Sequence, residues 1–217
     1  MANPASAIAQ RRERIRQRLK AIDLPGAGYH QFAPYLMPRT SSVLHVGAFP
    51  GKCALTLRNQ YPEARLVLLE PDKENYVQLP QCGAEAHPWA LAAGSGPTLF
   101  HHRAHRTASS MFPDTVHVPE VSYEVRGVTL EEVHDITGRA PIDLMLLNCE
   151  GAEMYVVETI LSDTAWPARI GQLSIAFHPG PATYSVDCMR YMLRGLRKHY
   201  TPCRHPVASH WFLFLRR

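Results

Sequence analysis

No uninterrupted apolar stretch of about 18 residues occurs in the 217-residue chain, so no transmembrane helix is encoded. Cysteine is sparse and lacks pattern: Cys53, Cys82, Cys149, Cys188 and Cys203 are odd in number and show no Cys-x-x-Cys spacing. That excludes a disulfide framework and a thiolate zinc site, and it fits a reducing compartment such as the cytoplasm. The basic start, MANPASAIAQRRERIRQRLK, has no apolar core, which fits poorly with a secretory signal, and Glu13 and Asp23 fit poorly with an organelle transit peptide. Repeats and low-complexity tracts are missing, and no Gly-x-Ser-x-Gly nucleophile elbow is found. Residues 1–28 contain no aromatic side chain, whereas nucleic-acid surfaces interleave stacking aromatics with basic residues. No nucleic-acid or membrane partner is therefore expected.

What is present describes an ordinary globular chain, 46% hydrophobic and 19% charged, of a length that suits one domain. The formal net charge of +4, much of it in Arg11–Lys20 and the C-terminal part, permits an anionic substrate. No feature specifies an oligomeric state. Ile8, Ile15, Leu19 and Ile22 recur at helical spacing, so residues about 5–22 are expected to form a helix, broken by Pro25-Gly26-Ala27-Gly28. Residues 1–40 are thus expected to be a helical extension forming part of a substrate-side cap on a domain spanning 41–217.

From there short apolar runs alternate with helical segments. The runs are SVLHVGAF, ARLVLLEP, IDLMLLNCE, QLSIAFHP and HWFLFLRR; helices are expected around Lys52–Tyr61, Lys73–Leu79, Leu130–Ile136, Ala152–Leu161 and Val186–Lys198. Near-continuous apolar runs indicate strands covered on both faces, so the expected fold is α/β, a mostly parallel central sheet with helices on both faces. Gly94–Arg126, rich in Pro, Ser and His, is expected to be an irregular excursion over the top of the sheet, where substrates bind.

Two strand ends carry the cofactor signals. Val43–Val46 runs into Gly47-Ala48-Phe49-Pro50-Gly51, a glycine-bearing turn ahead of a helix, where the backbone can turn sharply and approach a ligand. Leu66–Leu69 ends in Glu70-Pro71-Asp72, about where a carboxylate grips the ribose hydroxyls of a nucleoside cofactor. A dinucleotide needs Gly-x-Gly-x-x-Gly so that pyrophosphate can sit on the helix N-terminus. Phe49 occupies the second glycine position and would obstruct it, so a cofactor without phosphates is favoured.

VLHVGAFPG, LVLLEPD, the Val128-Thr129-Leu130-Glu131 segment and IDLMLLNCEGAE together resemble the FkbM family of methyltransferases over about Val43 to Phe177. The resemblance implies a Rossmann-like class I methyltransferase fold, S-adenosyl-L-methionine as cofactor, and O-methylation of a small-molecule or glycan hydroxyl. It implies cofactor contacts from His45, Gly47, Ala48, Phe49, Gly51, Glu70, Pro71, Asp72, Ala90, Leu91, Asn148 and Cys149. His45, Phe49, Asn148 and Ala176 stand where the family has Asp, Asn, Asp and often Glu. At His45, Asn148 and Ala176 this removes negative charge that would face a sulfonium, which suggests an alternative reading as a cofactor-binding but catalytically inactive scaffold. Loss of the acceptor's proton needs a base. His178, at the end of a strand in SIAFHPG, is the expected base, a neutral imidazole poised near pH 7, followed by Glu150 and Glu153. Asn148 and Glu150 could supply oxygen ligands to magnesium, but no third carboxylate can be assigned, so no metal is expected. The run His101-His102-Arg103-x-His105-Arg106 is either a solvated loop or a site for a substrate's phosphate or carboxylate.

Overall fold

A computed structural model describes residues 40–79, 83–103, 109–113, 121–204 and 210–217. The expected helix at 5–22, the extension to residue 40, and His105 and Arg106 lie outside the described residues.

Each apolar run becomes a strand: β1 (Ser42–Val46), β2 (Arg65–Leu69), β7 (Ile142–Leu147), β8 (Ile170–Ala176) and β10 (Trp211–Arg216). Short β3 (Glu85–His87) and β9 (Tyr200–Arg204) extend the two edges. The seven strands lie in the order β3-β2-β1-β7-β8-β10-β9, all running the same way except β10, which is antiparallel to both neighbours. Alternate side chains of one strand therefore meet different layers. Met145 and Leu147 of β7 pack into a core with helices α3 (Leu130–Ile136), α4 (Glu153–Ser162) and α6 (Val186–Leu196), whereas Leu144 and Leu146 pack with Cys53 and Leu57 of α1 (Lys52–Gln60). Helices cover both faces, and each fully buried Leu adds about 1.5–3 kcal/mol relative to exposure. The Rossmann-like class I methyltransferase arrangement expected from the sequence is the one observed.

Local chemistry sets the helix ends. Pro62 disfavours the helical conformation at the residue before it, and α1 stops at Gln60 with Tyr61 at φ −132°, ψ 73°. Thr129 and Glu132 form a reciprocal capping box at the start of α3, at the boundary read from the sequence. Ser185 caps α6 by accepting from the Cys188 N–H. Two short helices, α2 (Lys73–Tyr76) and α5 (Trp166–Arg169), precede β3 and β8.

Gly94–Arg126 is not the irregular excursion expected. Gly96–His102 (β5) pairs antiparallel with Val121–Val128 (β6), and β4 (Trp89–Leu91) pairs with β6 to give a second sheet in the order β4-β6-β5. Its strands alternate weakly because one face is shallow: Ala90, Phe100 and Val125 form its small buried cluster. Residues 103–120 separate the paired strands, too long a connection to show a hairpin signal. No helix among the described residues is long and apolar enough to cross a membrane.

Candidate active site

The carboxyl ends of β1, β2 and β7 open into one cleft, the usual ligand position in an open parallel sheet. The second sheet and Ser109–Met111 form its far wall, through Ala90, Leu91, Phe100, Ser109 and Met111.

The first turn is shaped by Gly47, whose φ of +74° favours glycine. A Cβ there would stand 1.8 Å from the Asn148 carbonyl oxygen, because the turn packs against the end of β7. The glycine is thus required by chain-to-chain packing, before any cofactor is considered. Gly51 then opens α1.

Glu70 ties two turns together and is almost fully buried. Its Oε2 accepts from the Phe49 N–H at 3.0 Å and its Oε1 from the Asp72 N–H at 3.1 Å. Burial pushes its carboxyl up to about 7, against the pull of those two N–H groups and the Asn75 side chain. Each carboxylate oxygen has lone pairs beyond the one in use, so the group can still accept from ligand hydroxyls. Asp72 is wholly buried and occupied differently. Its Oδ1 caps α2 by accepting from the Glu74 and Asn75 N–H groups, and its Oδ2 meets His102 Nδ1 at 2.6 Å. That buried pair fastens β5 to the Glu70 loop, and the Lys73 N–H adds a bond to the Tyr123 hydroxyl of β6.

At the other side, β7 leads into Asn148-Cys149-Glu150-Gly151 and then α4. Gly151 admits a close neighbour: a Cβ would meet the Phe112 ring at 2.9 Å. Ser110 Oγ donates to the Glu150 carbonyl at 2.8 Å, which fixes Ser109–Met111 against this loop. Beneath it lies Glu153, with no exposed surface. Glu153 Oε1 accepts from the His178 N–H at 2.7 Å and from the Tyr184 hydroxyl, and His178 Nδ1 stands 3.3 Å away. Glu153 Oε2 accepts from the Gly151 N–H at 2.9 Å. The other ring nitrogen, His178 Nε2, faces Glu150 Oε1 at 3.3 Å.

The electrostatics of this head follow. Burial works against a charged His178, but Glu153 and Glu150 overcome it and hold the imidazole above the usual histidine range. Burial also opposes ionisation of Glu153, yet hydrogen bonds from His178 and Tyr184 keep its carboxyl below the ordinary range. Glu150 is held up by burial, then partly relieved by His178. Burial and the neighbouring carboxylates push the Cys149 thiol well up, so it is not a nucleophile at neutral pH.

The cleft brings together Gly47, Phe49, Glu70, Pro71, Ala90, Leu91, Asn148, Cys149 and Glu150 from the expected set. His45, Ala48, Gly51, Asp72, Glu153 and His178 do not line it. His45 is buried within β1, where strand alternation puts it on the face of Val43, and the cleft is lined by Val46 instead. Asp72 and Glu153 act from behind the wall through the groups they hold. His178, expected as a poised neutral imidazole, instead stands behind the cleft wall between two carboxylates, which favour its protonated form. Asn75, Phe100, Ser109 and Met111 join the wall without having been singled out, and Tyr184 was missed in the head. Asn75 could have been found, since an Asn five residues beyond Glu70 falls within the next helix's first turn. Tyr184 carries no sequence signal in its Pro- and Gly-rich loop. Among the described residues, no group of three or more His, Cys, Asp or Glu side chains is arranged to hold a metal ion.

No protein-family model matches the chain, and a search of the curated proteins finds no match. Among solved structures, the chain is similar to a TehB-like S-adenosylmethionine-dependent methyltransferase from Corynebacterium glutamicum, with 14% identity over 99% of this chain and 100% of that one, at a TM-score of 0.44. It is similar to the O-methyltransferase TomG from Streptomyces achromogenes, solved with S-adenosylmethionine, with 13% identity over 100% and 91% of the two chains, at a TM-score of 0.46. An rRNA methylase from Streptococcus thermophilus matches at 13% identity over 90% and 98%, with a TM-score of 0.48. The fold stands on the strand order itself, and these likenesses assign no residue a role.

Proposed function

We propose that the chain is an S-adenosylmethionine-dependent O-methyltransferase of FkbM type, acting on an uncharged small-molecule or glycan hydroxyl. One observation carries the reading: the described residues lining the cleft include two carboxylates, Glu70 and Glu150, and no Lys, Arg or His. Such a wall repels a pyrophosphate and attracts a sulfonium cation. Glu70 with Asn75 offers acceptors to a ribose, and Leu91, Phe100 and Met111 offer an apolar slot for a base. The cofactor supplies a methyl group already activated on sulfur; the protein has only to align an oxygen with it and accept a proton. Glu150, which lines the cleft, is the nearest carboxylate for that purpose, with His178 beside it. The same wall gives an anionic acceptor no counter-charge, which favours an uncharged one.

Calorimetric titration with S-adenosylhomocysteine, S-adenosylmethionine and NAD tests this. Binding of the first two with no heat from NAD is expected. Binding of NAD alone would overturn it.

A further inference from the structure

We propose that Tyr184 and Glu153 are positioning residues that clamp His178 between two carboxylates, leaving Glu150 as the group that takes the acceptor's proton. This rests on the methyl-transfer reading above.

The clamp holds His178 from its backbone outward. The His178 N–H meets both Glu153 Oε1, at 2.7 Å, and the Tyr184 hydroxyl, at 2.8 Å, and that hydroxyl itself donates to Glu153 Oε1. The ring then has a carboxylate beside each nitrogen: Glu153 is hydrogen-bonded to Nδ1 and Glu150 lies at ion-pair distance from Nε2, both at 3.3 Å. A neutral imidazole can turn an N–H toward only one carboxylate; the imidazolium presents an N–H to each, and its charge is attracted by both. A ring that already carries both protons cannot remove a third. Glu150 can act as base: it lines the cleft with its side chain 27% exposed, whereas Glu153 has none of its side chain exposed.

Other charged or titratable groups face this head. Arg103, at the end of β5, favours an ionised Glu150. The His210 ring lies 6.1 Å from the His178 ring and is itself held below the usual range, by burial first and then by His178. Cys149, beside Glu153, stays a neutral thiol.

In the transfer, the acceptor's O–H bond breaks toward a Glu150 oxygen as the new O–CH3 bond forms and the S–CH3 bond breaks. The sulfonium's positive charge and Glu150's negative charge disappear together, so the net charge of the site does not change. His178 remains protonated and steadies Glu150 in both states.

The test combines imidazole NMR titration of the full chain with methylation rates across pH. In the wild type, His178 should keep both ring protons above the ordinary midpoint of about 6.5. Glu153→Gln should lower that midpoint by about one unit or more, because an opposite charge at this distance is lost. Tyr184→Phe removes one hydroxyl and should fold. It should leave the ring charged but lower kcat about tenfold, with KM for the cofactor unchanged, as expected for lost alignment. Glu150→Gln should lower turnover by roughly 10²–10⁴-fold. A wild-type midpoint near the ordinary value, or one that Glu153→Gln does not move, would overturn the clamp. A rate that rises with the same midpoint as His178 deprotonation would make His178 the base and overturn the role of Glu150. If the ring behaves as described but no hydroxyl acceptor is methylated, the clamp is upheld and the methyl-transfer reading fails.

Discussion

Glu70 should make cofactor affinity depend on pH in a way its surroundings determine. Burial holds its carboxyl up at about 7, although two backbone N–H groups oppose the shift. Only the ionised form can accept the protons of both ribose hydroxyls at once. Binding therefore selects the carboxylate and expels whatever proton the free protein carries. At pH 7 that is about half a proton per cofactor bound. Below it, each pH unit should cost about tenfold in affinity, or about 1.4 kcal/mol, until the carboxyl's lower value in the complex is reached. Calorimetry with S-adenosylhomocysteine from about pH 5.5 to about pH 8, in buffers of different ionisation heat, reads both affinity and proton count. Glu150 shares the cleft and is also held up, so Glu70→Gln is the necessary control. That variant should bind about tenfold more weakly at the alkaline end and lose most of the slope. A flat profile in the wild type, or an undiminished slope in the variant, would refute the assignment of Glu70 to the ribose. Stability should move the other way from that of a salt-bridged carboxylate. A raised folded value means that the native state binds more protons than the unfolded chain between about 4.5 and about 7. The fold should then weaken by about 3 kcal/mol as pH rises through that window, and urea midpoints of Glu70→Gln should lack this component.

Two further substitutions test the frame around the cleft. Gly47→Val sets a Cβ within 1.8 Å of the Asn148 carbonyl oxygen at a φ of +74°; strain of about 1–3 kcal/mol from each source should lower Tm sharply, and a native Tm with binding alone lost would contradict the packing explanation. Asp72→Ala removes both the cap of α2 and the buried acceptor for His102; thermal denaturation should show a loss of about 2–4 kcal/mol, with Asp72→Asn recovering the capping part, and a neutral result would mean that β5 is not held to the Glu70 loop by this pair.

The central sheet was legible because its inner strands are buried on both faces and so read as unbroken apolar runs, from Val43–Val46 to the antiparallel Trp211–Leu215. Glu70 was legible for a related reason: a charged residue ending such a run must sit where the sheet meets the cleft. The second sheet was hidden because β5 and β6 bury little and are separated by residues 103–120, so neither periodicity nor turn chemistry marks them. β9, with Pro202 within it, reads poorly for the reason that confines proline to edge strands.

The head of the site shows a different limit. Glu150, Gly151, Ala152 and Glu153 stand out as a string, yet the string does not say that two carboxylates three residues apart do opposite jobs. Burial separates them: Glu153 turns inward, where three N–H or O–H donors stabilise its charge, and Glu150 stays at the cleft with its carboxyl held up. Histidine suffers the same ambiguity. His178 and His45 each end or precede a conspicuous motif, but one is braced by two carboxylates beside the cleft and the other is buried within the sheet. What sets each role is the set of groups brought from distant segments, Tyr184 to Glu153 and His102 to Asp72 above all. A residue's type offers a chemistry; its partners across the fold decide whether that chemistry faces a substrate.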